Sequence, residues 1–192
     1  SPITIRHHLL FTDGLVDLNN RNLTLGVNGL LMGESEASHI TAAAGGYVEI
    51  TRPLAAPAAE NPGQLGLFIT STENLGSVTI RRGHQSQTSG SGGGNSILRY
   101  YDVAPANNTA LNAIVQINYF DAELNGLNES LLTVWKRTSS TWVDLGRTNN
   151  NTTTNFVEES PVSDFTRFTL SVPGNALPLV WSGFNTQCLT DR

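Results

Sequence analysis

Residues 116 to 130, "QINYFDAELNGLNES", hold the densest cluster of groups that could do chemistry. Asp121, Glu123, Asn125, Asn128 and Glu129 place side-chain oxygens within one short polar stretch, and Ca²⁺ is bound by roughly six to eight oxygens of these types. Their spacing differs from the helix-flanked calcium loop, in which ligands recur at alternate positions and a glycine makes the sharp turn. A second reading needs no ion. Asp and Asn side chains accept backbone N–H groups in turns, and Asn125-Gly126 is a strong turn signal, so "DAELNGLNE" reads as the connection between two strands. That reading accounts for most of the residues, with calcium kept as the possible cofactor.

Other constellations are thinner. A nucleophilic triad needs a Ser or Cys, a base and an orienting acid that converge. The four histidines, His7, His8, His39 and His84, all fall in the first half, and no Gly-x-Ser-x-Gly elbow accompanies them. His7 and His8 are adjacent and would point to opposite faces of a strand, so they cannot share a metal there. Glu158 and Glu159 face apart for the same reason, which argues against a glycosidase pair. Arg81 and Arg82, with His84, read as strand-edge charge that discourages unwanted pairing. Tyr100 and Tyr101 alternate across a strand, so one faces the core and the other faces out. An outward tyrosine beside Asp102 is the candidate platform for a glycan, since sugar sites stack rings on aromatic faces.

The elements that must position these groups are strands. Charged residues make up only 14% of the 192, against about a quarter in an average chain, while glycine reaches 18 and Ser, Thr and Asn abound. Short alternating runs such as "LTLGV", "GYVEITR" and "AIVQINYF" are bounded by turn residues, which is the pattern of half-buried strands. In the last of these, Ala113, Val115, Ile117 and Tyr119 form one face and Gln116 and Asn118 the other. "GLFITS" and "SVTIRRG" flank a turn at Glu73-Asn74, and Trp135 and Trp142 flank the hairpin connection "KRTSST", where they can cluster across strands. The net charge of −5 and the scatter of the 11 basic residues argue against a nucleic-acid partner. No apolar run approaches the roughly 18 residues of a membrane helix, so no membrane insertion is expected. Cys188 stands alone and excludes an internal disulfide, and Ser1 in place of Met fits a processed or trimmed chain. Asn-x-Ser/Thr occurs at Asn22, Asn107, Asn128, Asn150 and Asn151, and "NNNTTTN" reads as an exposed polar loop.

The segment 97–146, followed by "SDFTRFTL", resembles a recurrent β-rich module of Bacteroidota surface proteins secreted by the type IX system. The residues that carry the likeness are Arg99, Tyr100, Tyr101 and Asp102, then Asn107 to Thr109, Tyr119, Asp121, Glu123, Leu124, Trp142, and Phe165 to Leu170. "GLVDLNNRNLTLG", "GGYVEITR" and "ENLGSVTIRRGH" resemble the β-rung segments that precede it, and "ALPLVWSGFNTQC" resembles the segment before the family's C-terminal sorting domain. The closing half is also similar to the self-cleaving ZU5 type of sandwich, but no histidine stands beside Phe165, so that cleavage is not expected. The resemblance implies an extracellular, cell-surface location and a structural or adhesive role, and it assigns no catalytic residue.

These readings predict an all-β chain. An antiparallel β-sandwich, jelly-roll or ZU5-like, over 97–174 follows a region of short β-rung or solenoid-like strands over 1–88, with a Gly/Ser-rich loop at 89–96 and a linker or following module at 175–192. The expected partners are other copies of the chain or neighbouring modules, through exchange of terminal strands such as "SPITIRHHLL" and "LPLVWSGF", and glycans through Tyr100, Tyr101 and Asp102.

Overall fold

The computed structural model describes residues 3–88, 94–139 and 141–174. Its strands are β1 (Ile3–Ile5), β2 (His8–Leu10), β3 (Val16–Asp17), β4 (Leu23–Leu25), β5 (Leu30–Met32), β6 (Ile40–Thr41), β7 (Tyr47–Ala55), β8 (Leu67–Thr70) and β9 (Asn74–His84). They continue as β10 (Arg99–Pro105), β11 (Ala113–Asn118), β12 (Thr133–Thr138), β13 (Thr141–Gly146), β14 (Asn149–Asn151), β15 (Phe156–Val162) and β16 (Arg167–Ser171). The chain is all-β, and none of its described helices is long and apolar enough to cross a membrane.

Residues 3–41 wind into two stacked coils. β1, β2 and β3 lie parallel to β4, β5 and β6 respectively, and β4 in turn lies parallel to β7. Because parallel pairing sets equivalent residues above one another, apolar side chains form columns: Ile3 over Leu23 over Val48, Leu9 over Leu31, Val16 over Ile40. Burial falls along the first column towards the first coil, from 0% exposure at Val48 and 6% at Leu23 to 59% at Ile3. Corners use residues that tolerate the left-handed region. Asn19 and Asn20 have φ of 45° and 59°. Gly46 has φ of 101°, and a Cβ there would run into the Arg21 carbonyl.

β7 hands the stack over to a sandwich. The eight-stranded sheet runs β1-β4-β7-β9-β10-β16-β12-β13, parallel at its rung end and antiparallel from β7 onward. A four-stranded sheet, β14-β15-β11-β8, packs on it. Leu67, Ile69 and Val115 of the smaller sheet and Val103 and Phe168 of the larger line one interior space. The predicted alternation in β11 holds: Ala113, Val115, Ile117 and Tyr119 are buried, while Gln116 and Asn118 are half-buried on the other face.

Several local expectations change. β8 and β9 do not pair with each other, because β8 joins β11 in the small sheet while β9 lies between β7 and β10. "DAELNGLNE" is an inter-strand connection, but it crosses from β11 in one sheet to β12 in the other instead of closing a hairpin. The stretches 1–88 and 97–174 share one core, since β9 and β10 pair over seven positions and one cluster of buried residues runs from Phe11 to Leu170. Of the expected Gly/Ser-rich loop at 89–96, residues 89–93 lie outside the described residues, as does the expected linker at 175–192 with Cys188 and "LPLVWSGF". β12 and β13 form the expected hairpin, with Trp135 and Trp142 packed together.

Candidate functional site

A strand pairing on both sides sends alternate residues into the core, so the inner face of β9 and β10 carries Arg82 and His84 beside Arg99 and Tyr101. Two buried arginines between the sheets require acids. The loop after β5 supplies Glu34, whose two oxygens each take a hydrogen bond of 2.7 Å from Arg82, and Arg82 also donates to the Leu65 carbonyl. The short 3-10 turn Asp121–Glu123 supplies Glu123, held by Arg99 Nε at 3.0 Å and by His84 Nδ1 at 2.9 Å, while Phe120 N–H donates to its other oxygen. Tyr101 O–H donates to the same Leu65 carbonyl at 2.7 Å.

The titration behaviour follows from this packing. Burial alone would raise Glu123, but the Arg99 charge and the hydrogen bonds outweigh it and hold the carboxyl at about 2. Glu34 is likewise lowered, with Arg82 overcoming desolvation. His84 goes the other way: burial, helped by the nearby guanidiniums, brings it down from 6.5 to about 4 despite the Glu123 contact. His84 is therefore neutral near pH 7, and against an ionised carboxylate its Nδ1 carries the proton and donates. This resembles a base held by an acid, yet His84 Nε2 is buried and meets no hydroxyl or thiol among the described residues.

Above this buried network lies an open cleft of about 410 Å³. One wall is the second coil at Gly33, Glu34 and Glu36, another is Asn61, Gln64 and Phe68, and the third is Asn118 to Phe120 with Thr153 to Asn155. Arg82 and Arg99 contribute to its lining. Glu36 fastens the walls together by accepting from Asp121 N–H at 2.9 Å and from Asn155 Nδ2 at 3.3 Å. Phe120 adds a ring contact with His39 at 4.7 Å and sits 4.8 Å from the Arg99 guanidinium. A second, more apolar cavity of about 460 Å³ lies next to it, lined by Leu15, His39, Ile40, Ala42, His84 and Leu98 among others.

The residues singled out in the sequence do not assemble into one site. Tyr101 is in the core and Tyr100, on the opposite face, is only 8% exposed, since the Arg167 guanidinium covers its ring at 4.4 Å. Asp102 holds Arg167 through two bonds of 2.6 Å, so this trio is a packed face with no free aromatic platform. Among the proposed calcium ligands, Glu123 is committed to Arg99 and His84, Asn128 caps Ser130 N–H, Glu129 accepts from Tyr119 O–H, and Asn125 donates to Ser86 and to the Ser96 carbonyl. Asp121 takes a bond from Asn155 instead. No group of three or more His, Cys, Asp or Glu that could hold a metal occurs among the described residues. Arg82 and His84 also differ from the strand-edge reading: β9 is an interior strand, and only Arg81 of the three is exposed, paired with Glu49 at 2.6 Å. The cleft itself was not legible beforehand, because its walls come from four separated stretches. The one available signal was Arg82 at an inward position of an otherwise apolar alternation, Val78, Ile80, Arg82.

Comparison with known proteins returned no family model, no curated protein and no solved structure that matches this chain.

Proposed function

We propose that the chain is a non-enzymatic structural module of a bacterial surface protein, acting outside the cell, and that it self-associates by seating a second copy against the exposed apolar side of its first coil. The observation that carries this is the exposed apolar side of the first coil. Ile3, at 59% exposure, and Val16, at 39%, stand in columns whose next members, Leu23 and Ile40, are at 6% and 0%. Among the described residues, the edges of β1, β2 and β3 that face away from β4, β5 and β6 have no strand partner, and they frame this apolar surface. A second copy offers the same apolar columns and main-chain edge, so two copies related by a two-fold axis cover each other. Residues 3–17 carry one Arg and two Asp, too little charge to oppose that contact. The likeness to the type IX surface module supports the extracellular and bacterial parts of the reading.

Analytical ultracentrifugation of the whole chain over a concentration series tests it. Wild type is expected to dimerise, and the double variant Ile3→Lys/Val16→Lys to stay monomeric with an unchanged melting profile, since both residues are already exposed. A wild type that remains monomeric at every concentration, or a variant that associates equally well, would overturn the proposal.

A further inference from the structure

We infer that the cleft over the buried arginines is a binding site for an uncharged saccharide. Its volume of about 410 Å³ falls within the roughly 300–1,000 Å³ range of small-ligand sites. Charge selects the class. The cleft is lined by two cations, Arg82 and Arg99, and two anions, Glu34 and Glu36; Arg82 is bonded to Glu34 and Arg99 to Glu123, so neither guanidinium is left to neutralise an anionic ligand. No metal-holding cluster is available among the described residues to recruit a carboxylate or phosphate instead.

What remains free is neutral hydrogen-bonding capacity beside one aromatic face. The side chains of Gln64, Thr153 and Thr154 line the cleft, are exposed, and make no hydrogen bond among the described residues. Asn61 and Asn118 use their carbonyl oxygens, on Gly66 N–H and Gln116 Nε2, which leaves their amide N–H groups as donors. Phe68 is half-buried on the outer face of β8 and has no ring partner among the described residues, unlike Phe120. Hydroxyl-rich rings with an apolar C–H face match this combination of amides, hydroxyls and a stacking surface. Two donors belonging to cleft-lining residues, Arg82 Nε and Arg99 Nη2, are also buried without an acceptor among the described residues, an arrangement that calls for an explanation in a folded chain. The walls are pre-set by strand ladders and by the Glu36 contacts, so little ordering is required on binding.

The test is isothermal titration of the whole chain with cellohexaose, xylohexaose and mannohexaose, and with oligogalacturonate and an uncharged hexapeptide as comparators. At least one neutral oligosaccharide is expected to bind, with affinity reduced about tenfold or more by Phe68→Ala and by Thr153→Val/Thr154→Val. The threonine pair is exposed and carries no side-chain hydrogen bond, so its melting profile should match wild type and separates lost recognition from lost folding. Binding to none of the neutral sugars, binding only to oligogalacturonate or the peptide, or sugar binding that survives both variants would each overturn the inference. Because the Ile3/Val16 variant leaves this cleft untouched, failure of the self-association reading and failure of this one are read separately.

Discussion

Acidification between pH 7 and 4.5 should destabilise the fold chiefly through His84. In the folded chain this imidazole titrates at about 4, against 6.5 when unfolded, because burial and the neighbouring guanidiniums disfavour its charged form. Over that interval the unfolded state binds a proton that the folded state refuses, so stability falls as pH falls. The stabilisation is complete above the unfolded value and has decayed almost fully once pH reaches the folded value. Two-state linkage with these two values gives a loss of about 2 kcal/mol between pH 7 and 4.5. Glu34 and Glu123, both lowered from 4.5, add a smaller loss that begins as pH nears 4.5 and grows below it, while Glu159, raised by burial, works in the opposite sense, so comparison with a variant lacking the imidazole isolates His84. With a urea slope of roughly 1–3 kcal/mol/M, the midpoint should drop by about 1 M. His84→Gln keeps a donor for Glu123 and removes the titration, so its midpoint should change far less over the same interval. If wild type shows no drop, or if the variant drops equally, the buried neutral histidine is not what governs acid stability and the electrostatic account of the Glu123 cluster fails.

Two further measurements probe how burial sets the value of a charge and of a side chain's absence. Glu34→Gln strands Arg82, which is 1% exposed, and should cost about 3–5 kcal/mol in chemical denaturation, whereas Glu49→Gln, which breaks the surface pair with Arg81, should cost under about 1 kcal/mol. Equal losses would contradict the placement of the two arginines on opposite faces of β9. Gly83→Ala puts a methyl group into the Tyr100 ring that lies across β9, so unfolding should show a loss of about 1–3 kcal/mol, and an unchanged melting midpoint would show that Tyr100 is free to swing away.

The strand content and the inward face of β11 were readable from alternation between neighbours two residues apart, and the tryptophan pair and the rungs of the first coils from turn residues that bring nearby strands together. Partnership between distant stretches was not readable. A run such as "SVTIRRGH" looks the same on an edge strand as on an interior one, and only the arrival of β7 and β10 on its two sides decides that Arg82 and His84 are buried. Glu123 was read as a calcium ligand because its local company is polar, while its actual partners, Arg99 and His84, lie 24 and 39 positions away in sequence. The alternation of Tyr100 and Tyr101 leaves open which of them faces out; it is Tyr100, and its cover, Arg167, comes from the last described strand. Local pattern set the faces, and long-range pairing set which faces were open.

The position of β16 has a consequence for how the chain becomes a folded object. β16 is the last of the described strands in sequence yet lies between β10 and β12, with Tyr100 opposite Thr169 on one side and Trp135 opposite Thr169 on the other. Until Arg167–Ser171 is available to pair, the large sheet exists only as two unjoined ribbons, and the coils at the other end, which pair over short sequence distances, are the part able to form first. The closing strand thus acts as a keystone: the large sheet is completed only when it arrives, and loss of Arg167–Ser171 would part the β12–β13 hairpin from β10.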